Sequence, residues 1–290
     1  MKNRDFILIT ILSLLAFLYL FPIYWTVITS LKPNSQVFTN PPMFYPSSPT
    51  LTNYYQSGSA AGAVAQSATG ALPYIVTSFV VAAVTSFLST FLIGAPSAYA
   101  LVRHVRGKLW IARLILFTIM IPEIVLVVPF FNIITHAGLL NTWWALMLTY
   151  ISFTAPFSTW ILIGFFSRVP KVIEEAAEMD GMPAFQIFQK ISLRLVTAGL
   201  IATLVLNFVN CWNEFLYALV LTLTPYNFGF PPYGAQTSQV YISSFIVVER
   251  SVAWGGLAAT GVVTMLPVLI LGLFFERYIR VGATLGSVKG

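Results

Sequence analysis

The sequence predicts an all-α membrane protein with six transmembrane helices, and two observations support this fold class. Of the 290 residues, 58% are hydrophobic and only 8% are charged, whereas soluble domains carry about 25% charged residues. A helix needs about 20 consecutive, mostly apolar residues to cross the hydrocarbon core of a bilayer. Six runs reach that length, at about residues 7–31, 72–101, 111–134, 143–166, 195–223 and 253–275.

The positions of Lys and Arg predict the orientation of these spans, because cytoplasmic loops are enriched in both residues. If the N-terminus is cytoplasmic, thirteen of the fifteen Lys and Arg residues lie inside, and only Lys32 and Arg250 lie outside. Six spans then return the C-terminus to the cytoplasm. We therefore predict a multi-pass protein of the cell (plasma or inner) membrane with both termini cytoplasmic. The net charge of +6 follows from this topology, and no base-stacking or zinc motif accompanies it, which argues against nucleic-acid binding.

The predicted topology divides the chain into four regions. Residues 1–31 form the first span, which is too long for a signal-peptide core, and residues 32–71 form an extracytoplasmic segment. Residues 72–275 form a core of five spans with a cytoplasmic loop at 167–194, and residues 276–290 form a cytoplasmic tail. Within the external segment, residues 57–70 are nearly all Gly, Ala, Ser and Gln, which is typical of a flexible linker or a short surface helix.

The second and third spans contain residues that disturb a regular helix. Small residues at 94–98 predict close helix contact, and Pro96 predicts a kink. In the third span Glu123 follows Pro122, and a carboxylate at membrane depth should face protein or water. Two interpretations stay open: Glu123 lines a transport path, or its carboxylate hydrogen-bonds the backbone that Pro122 leaves unpaired.

The loop at 167–194 holds four of the nine acidic residues and predicts a helix–turn–helix element. Pro170 suits the first position of a helix, Gly181 suits the left-handed residue that ends one, and Pro183 suits the start of the next. We predict a first helix over about 170–180 and a second from 183 onward. Helical periodicity gives two opposite faces, one with Ile173, Ala176 and Ala177 and one with Lys171, Glu174, Glu175 and Glu178.

The fifth span is the most polar of the six. Five residues recur there at steps of three or four: Asn207, Asn210, Cys211, Glu214 and Tyr217. This spacing predicts one shared face of a continuous helix, with Trp212 on the opposite side. Polar groups in a span either line a cavity or hold neighbouring helices together, and both interpretations stay open. As the single cysteine, Cys211 excludes an intramolecular disulfide and is predicted to be a packing residue.

One motif in the cytoplasmic loop resembles a known family. It consists of Glu175-Ala176-Ala177, three residues, Gly181, nine residues, Ile191, one residue and Leu193. This pattern resembles the EAA loop of ABC importer permeases, which forms coupling helices that dock into a groove on the cytoplasmic ATPase subunits. The family usually has proline after the leucine, whereas this chain has Arg194, which puts the local kink in question.

Further segments are similar to carbohydrate-type, and in the tail to maltose-type, permeases. They are residues 98–101 with Arg103, the turn at 138–144, the Trp-Asn-Glu-Phe string at 212–215 and the tail at 276–290. In the maltose-type group the corresponding tail reaches toward the ATPase interface. The resemblance covers most of the chain, from the second span to the C-terminus.

The resemblance implies a permease subunit of an ATP-driven importer for a sugar or oligosaccharide, forming half of the translocation pathway. It implies a second homologous permease, two ATPase subunits that bind ATP and Mg, and an extracytoplasmic solute-binding protein, with no cofactor on this chain. The implied ATPase-coupling residues are Glu174, Glu175, Ala176, Ala177, Asp180, Gly181, Ile191 and Leu193, with tail contacts from Gly286, Lys289 and Gly290. The candidate pathway residues are Glu123, Asn207, Asn210, Glu214 and Tyr217.

Absent motifs limit the other classes of function. The sequence has no phosphate-binding loop for ATP, no nucleophile motif that predicts an enzyme, and no metal-binding pattern among its two His and one Cys. The alternative function is an ion-coupled secondary transporter that uses Glu123 and Glu214 as proton or sodium sites. A third is a scaffold subunit without a pathway of its own. The secondary transporter gives no role to the EAA-type loop.

Overall fold

The computed structural model describes residues 3–55, 69–105, 107–228, 234–247 and 254–284. Within these ranges the secondary structure is helical, with no β-strand, so the predicted all-α class is confirmed there. The α-helices in chain order are α1 (Asn3–Ser30), α2 (Asn34–Val37), α3 (Thr52–Tyr55), α4 (Leu72–Phe87), α5 (Ala95–Arg103), α6 (Lys108–Ile119), α7 (Glu123–His136), α8 (Trp143–Phe166), α9 (Lys171–Met179), α10 (Ala184–Ile187), α11 (Leu193–Leu195), α12 (Thr197–Asn213), α13 (Leu216–Leu221), α14 (Ser238–Val247) and α15 (Trp254–Thr284). Leu88–Gly94 and Phe188–Ser192 are π-helical, and Thr69–Ala71 is a 3₁₀ turn.

Four helical stretches are long and apolar enough to cross a membrane, and they match four of the predicted runs. They are Phe6–Ser30, Leu72–Arg103, Trp143–Phe166 and Trp254–Glu276. The other two predicted spans are sharply bent helix pairs. The helices α6 and α7 meet at 88°, and Ala184–Leu195 meets α12 at 78°. The described part of the chain therefore has four candidate spans, or up to six if each bent pair is one span.

Proline explains the first bend, and the backbone angles show where the second bend lies. Pro122 lacks an N–H and restricts the residue before it, so α6 ends at Ile119 and α7 begins after Pro122. The second bend lies at Val196, which has φ −101° and ψ 13°. The chain therefore bends here even though Arg194 stands in place of the proline that the resemblance led us to expect.

The prediction of one continuous helix over the fifth span is wrong. The helix α12 ends at Asn213, Glu214 is extended (φ −66°, ψ 130°), and α13 begins at Leu216. A periodicity of 3.6 residues cannot be continued across such a break, so residues before and after Glu214 do not share one helix face. Trp212, predicted on the side opposite the polar residues, is buried as well: it is only 2% exposed and stacks on Phe208.

The chain forms two compact units, Met1–Leu72 with Tyr241–Leu266 and Pro73–Val240 with Pro267–Gly290. In the first unit, the segment that follows α1 folds back on the end of that helix. Lys32 Nζ donates to the Met43 carbonyl at 2.6 Å and lies 4.4 Å from the centre of the Trp25 ring. These contacts give the first part of the predicted external segment a fixed position beside α1.

In the second unit, α8 is the helix around which the others pack. Its side chains Leu146, Tyr150, Leu162 and Phe166 are fully buried. The first two belong to a core shared with α7, α12 and α13, and the last two belong to a core shared with α5 and α12. This central position lets α8 contact the elements that carry both groups of predicted site residues.

The small residues of the second span allow the close contact that the sequence predicts. A Cβ placed on Gly94 would lie 2.5 Å from Ser158 Cβ of α8, a distance that real side chains do not tolerate. Pro96 follows the π-helical segment Leu88–Gly94, and the span remains continuous from Leu72 to Arg103. The expected disturbance at Pro96 therefore takes the form of altered helical winding rather than a break.

Candidate functional site

The loop that carries the motif folds as the predicted helix–turn–helix element. Pro170 is the N-cap residue of α9, with φ −62° and ψ 127°, and the first helical position is Lys171. Gly181 has φ 82°, which is the left-handed conformation that glycine adopts without strain. The N–H of Gly181 donates to the Glu178 carbonyl and that of Met182 to the Ala177 carbonyl, both at 3.0 Å. These two bonds form a Schellman motif, which fixes the direction of the turn.

Glu174, predicted on the same face as Lys171, Glu175 and Glu178, is buried and bonded within the chain, whereas those three are exposed. Arg103 Nε donates to Glu174 Oε2 at 2.6 Å, and Arg103 Nη2 donates to Oε1 at 3.3 Å. Ser192 Oγ donates to Oε1 at 2.7 Å. Arg103 Nη2 also donates to the Val169 carbonyl at 2.7 Å. Arg103, Glu174 and Ser192, here termed the anchor cluster, thus join the end of the second span to α9 and to the π-helical segment after α10.

Periodicity failed at Glu174 because it assumes that a carboxylate faces solvent. The side chains of Arg103 and Glu174 are 7% and 8% exposed, and a buried charge is stable only when it is paired and hydrogen-bonded. Of the three residues predicted on the apolar face, only Ala177 is buried, whereas Ile173 is 41% exposed and Ala176 is also exposed.

The face of α9 opposite Glu174 and Ala177 is exposed and largely apolar. Successive helical residues are rotated by about 100°, which puts Val172, Glu175, Ala176 and Met179 together on this side. We term these four residues the outer face of α9. Val172 is 71% exposed and Met179 is 88% exposed, and the other two are also exposed. Large apolar side chains displayed side by side are typical of an interaction surface.

The remaining motif residues divide between the surface and the interior. Asp180 and Gly181 are exposed, whereas Ile191 and Leu193 are half-buried. Leu193 packs against the core that joins α5, α8 and α12. The predicted tail contacts lie outside the described residues: Gly286, Lys289 and Gly290.

Glu214 caps the short helix that follows the break in the fifth span. Its Oε1 accepts the N–H of Tyr217 at 2.7 Å, and its Oε2 accepts the N–H of Ala218 at 3.1 Å. Tyr150 Oη of α8 donates to Oε2 at 2.6 Å. The first N–H groups of a helix have no partner within the helix, so this buried carboxylate satisfies two of them and ties α13 to α8.

Two other candidate pathway residues hold neighbouring helices together. Asn207 Nδ2 donates to Ser158 Oγ at 2.6 Å and to Thr90 Oγ1 at 3.0 Å. Tyr217 Oη donates to the Glu123 carbonyl at 3.1 Å, which joins α13 to the start of α7. Both side chains are buried, so their polar groups serve contacts between helices in this structure.

A cavity of about 420 Å³ lies beside the break in the fifth span. Glu123, Asn210 and Glu214, three of the five candidate pathway residues, line it, whereas Asn207 and Tyr217 do not. The complete lining is Glu123, Phe153, Asn210, Asn213, Glu214, Phe215 and Leu216. We term this space the break cavity.

Glu123 has its side chain at this cavity and not on the backbone near Pro122. The side chain of Glu123 forms no hydrogen bond with another described residue, and Glu123 is exposed. The interpretation in which its carboxylate repairs the backbone at Pro122 is therefore wrong.

Sequence reasoning missed four lining residues: Phe153, Asn213, Phe215 and Leu216. A continuous helix gives no reason to join residues 210 and 213–216 around one space, because it spreads them over several faces. The signal available was the Trp-Asn-Glu-Phe string at 212–215, which includes two of the four, Asn213 and Phe215.

Comparison with known proteins decides the family. A family model described as "binding-protein-dependent transport system inner membrane component" matches residues 90–281, which is more than half of the chain. The chain belongs to this family. The resemblance to ABC importer permeases that the EAA-type motif indicated is thereby confirmed, and the membrane assignment agrees with the family's description.

Relatives across the full length support the assignment of this inner membrane component. The trehalose/maltose transport system permease protein MalG of Thermococcus litoralis is 33% identical over 279 residues, covering 96% of this chain and 94% of the relative. The trehalose transport system permease protein SugB of Mycobacterium tuberculosis is 35% identical over 273 residues, covering 93% of each. The inner membrane ABC transporter permease protein YcjP of Escherichia coli is 33% identical over 280 residues, covering 96% of this chain and 94% of the relative.

Solved structures share the fold of this family member. A chain from a bacterial ABC transporter involved in the import of the acidic polysaccharide alginate aligns with a TM-score of 0.70 at 19% identity, covering 96% of both chains. A chain from the MetNI methionine ABC transporter in an inward-facing conformation aligns with a TM-score of 0.57 at 17% identity, covering 73% of this chain and 95% of its own. These likenesses support the helical permease architecture.

Proposed function

We propose that this chain is the transmembrane permease subunit of an ATP-driven importer for a sugar or oligosaccharide, and that it forms half of the translocation pathway. Its coupling to ATPase subunits runs through the element at 170–193. The observation that carries this proposal is the outer face of α9. A largely apolar, exposed helix face on an element stiffened by a Schellman turn is suited to insertion into a groove of a partner protein.

The coupling residues act in two groups. Glu175 and Ala176 lie on the outer face, with Asp180 and Gly181 at the turn beside it, and this group contacts the ATPase. Glu174, Ala177, Ile191 and Leu193 form the second group, which holds α9 and the helix after it against the permease.

This division gives a mechanism of energy coupling. When the ATPases close on ATP, α9 moves with them, and the anchor cluster carries that movement to Arg103 at the end of the second span. Because packed helices move as rigid bodies, the spans then shift between outward-facing and inward-facing states. ATP and Mg are bound by the ATPase subunits.

The family description and the solved structures support the partners that we propose. A binding-protein-dependent system requires a solute-binding protein, and the solved alginate transporter is described in complex with its periplasmic protein. We propose a second homologous permease, two ATPase subunits and an extracytoplasmic binding protein, with both termini of this chain and α9 in the cytoplasm. The tail residues Gly286, Lys289 and Gly290 add contacts to the ATPases.

The solute class rests on the relatives. Two of them are described as permeases for trehalose or trehalose/maltose, and both are at least 33% identical to this chain over more than nine-tenths of its length. A sugar or oligosaccharide is therefore the proposed solute. Within this chain, Glu123, Asn210 and Glu214 form the pathway wall at the break cavity, while Asn207 and Tyr217 support that wall.

The bonding of Glu214 argues against the ion-coupled alternative. A proton or sodium site needs carboxylate oxygens that are free to bind the ion. Oε2 of Glu214 accepts from Tyr150 and from the Ala218 N–H, and Oε1 accepts from the Tyr217 N–H. Glu123 would then act alone, without the second carboxylate that the alternative requires.

The test is purification of the tagged protein from its native host in mild detergent, with identification of the chains that accompany it. We expect an ATPase and a second permease with the wild type, and loss of the ATPase alone in Met179→Asp. This change removes an apolar side chain that is 88% exposed and adds a second carboxylate to the outer face, which must be desolvated on docking. Glu178→Gln is the matched control, because it changes an exposed residue of α9 outside the outer face and should retain the ATPase. Recovery of the ATPase with Met179→Asp would contradict the proposal.

A further inference from the structure

The break cavity is lined by polar residues whose side chains have no bonding partner within the described part of the chain. Glu123, Asn210 and Asn213 line it, and none of their side chains forms a hydrogen bond or ion pair with another described residue. Glu214 differs, since its oxygens are occupied by Tyr150 and by two backbone N–H groups. The free groups are thus one carboxylate, which only accepts hydrogen bonds, and two amides, which both donate and accept.

The apolar part of the lining complements these groups. The rings of Phe153 and Phe215 and the side chain of Leu216 share the same cavity. Ligand sites combine apolar and aromatic walls with a few polar groups that orient the ligand. A saccharide has both surfaces, namely C–H faces that pack on aromatic rings and hydroxyl groups that donate to carboxylates and exchange hydrogen bonds with amides.

The charge of the cavity restricts which saccharide it accepts. No Lys or Arg occurs between Arg113 and Arg168, or between Arg194 and Arg250, so every lining residue comes from stretches without a cationic side chain. An anionic sugar would meet the Glu123 carboxylate with no opposite charge among the seven residues that line the cavity. Placing two like charges together opposes binding.

We propose that the break cavity is a saccharide-contacting subsite of this subunit that accepts uncharged sugars and excludes anionic ones, with Glu123 as the residue that determines the discrimination. This inference rests on the proposed function, because it requires that the cavity lies on the path of a sugar. The fold alone does not fix the charge of the solute, since a chain with the same fold belongs to a transporter of an acidic polysaccharide.

The experiment uses the complex of this chain with its partner subunits in nanodiscs, without the binding protein, so that sugar contacts report on the permease. Saturation-transfer NMR is recorded with trehalose and maltose as uncharged probes and with dimannuronate as the anionic probe. For the wild type we expect transfer to trehalose or maltose at least about tenfold greater than to dimannuronate. Equal transfer, or no transfer to the uncharged sugars, would overturn the proposal.

Variants assign the effect to the cavity. Glu123→Gln keeps the size of the side chain and one accepting oxygen, so saturation transfer to the uncharged sugars should be retained. Transfer to the anionic sugar should rise to within about threefold of transfer to the uncharged ones. Asn210→Ala should lower saturation transfer to the uncharged sugars at least about threefold while retaining the preference over the anionic sugar. It serves as the second variant if Glu123→Gln does not fold. Glu178→Gln, an acid outside the cavity, should match the wild type. An unchanged tenfold ratio in Glu123→Gln, or unchanged sugar contacts in Asn210→Ala, would refute the assignment.

The two proposals fail in different ways. Absence of ATPase subunits from the purified complex contradicts the importer, whatever the sugars do. A complex that contains the ATPases and hydrolyses ATP, but whose sugar contacts ignore changes at Glu123 and Asn210, leaves the importer intact and overturns this subsite.

Discussion

Replacing Glu174 with Gln should loosen α9 from the rest of the protein without changing the shape of the side chain. Glu174 accepts two hydrogen bonds from Arg103, at 2.6 and 3.3 Å, and one from Ser192, at 2.7 Å. The glutamine retains an oxygen for Ser192 but removes the charge opposite Arg103. The guanidinium would then keep a single strong bond in this region, to the Val169 carbonyl at 2.7 Å.

The size of the effect follows from burial. Exposed ion pairs contribute about 0–1 kcal/mol, but breaking a buried pair costs about 3–5 kcal/mol because the remaining charge is left unpaired. With side-chain exposures of 7% and 8%, this pair belongs to the second class. Taking the lower limit, because glutamine still accepts one hydrogen bond, we expect about 3 kcal/mol for the attachment of α9. At about 1.4 kcal/mol per factor of ten, this is about a hundredfold in the opening equilibrium.

Amide hydrogen exchange of the purified protein in nanodiscs measures that equilibrium directly. In Glu174→Gln, the protected amides within Lys171–Met179 should exchange about a hundredfold faster than in the wild type, while those of α8 stay unchanged. Glu178→Gln makes the same chemical change on the exposed side of α9 and should leave exchange unaltered. Exchange in Glu174→Gln within about threefold of the wild type would show that the anchor cluster does not hold α9.

A double variant separates pairing from packing. Arg103→Met with Glu174→Leu removes both charges, so the unpaired charge that dominates the single variant is absent. The double variant should therefore speed exchange of α9 less than Glu174→Gln does. If the effect of the double variant on exchange of α9 instead equals the sum of the effects of the two single variants, the two residues act separately.

Two further predictions concern the turn and the helix break. Gly181→Val should weaken ATPase co-purification and uncouple transport, whereas Gly181→Asn should preserve both. Apart from the two neighbouring residues, no heavy atom lies within 4 Å of a Cβ placed at this position, so the penalty comes from the φ of 82° alone. Asparagine tolerates this φ and a β-branched residue does not. Equal behaviour of the two variants would exclude this explanation. Glu214→Ala should lower the apparent Tm in detergent by about 5 °C, because about 2 kcal/mol is lost when two N–H groups and the Tyr150 hydroxyl lose their acceptor. Asn210 lines the same cavity but its side chain forms no such bonds, so Asn210→Ala should leave Tm unchanged. An equal Tm for the two variants would contradict the capping role of Glu214.

The sequence alone determined the features that depend on composition and on local backbone chemistry. Apolar runs longer than a bilayer requires gave the helical membrane class, and four of the six runs match single helices in the structure. The positive φ of Gly181 was also predictable, because a helix that ends before a proline needs a residue free to adopt it. The spacing from Glu175 to Leu193 was sufficient to indicate the family.

The tertiary structure decided which face of α9 is buried and where the fifth span breaks. Both outcomes depend on partners distant in sequence: Arg103, 71 residues before Glu174, turns that carboxylate inward, and Tyr150, 64 residues before Glu214, helps to hold it at the start of α13. Helical periodicity describes one helix at a time and treats every carboxylate as solvated. A buried carboxylate is stable only with its donors assembled around it, so the break cavity and the outer face of α9 appear only once the helices are packed.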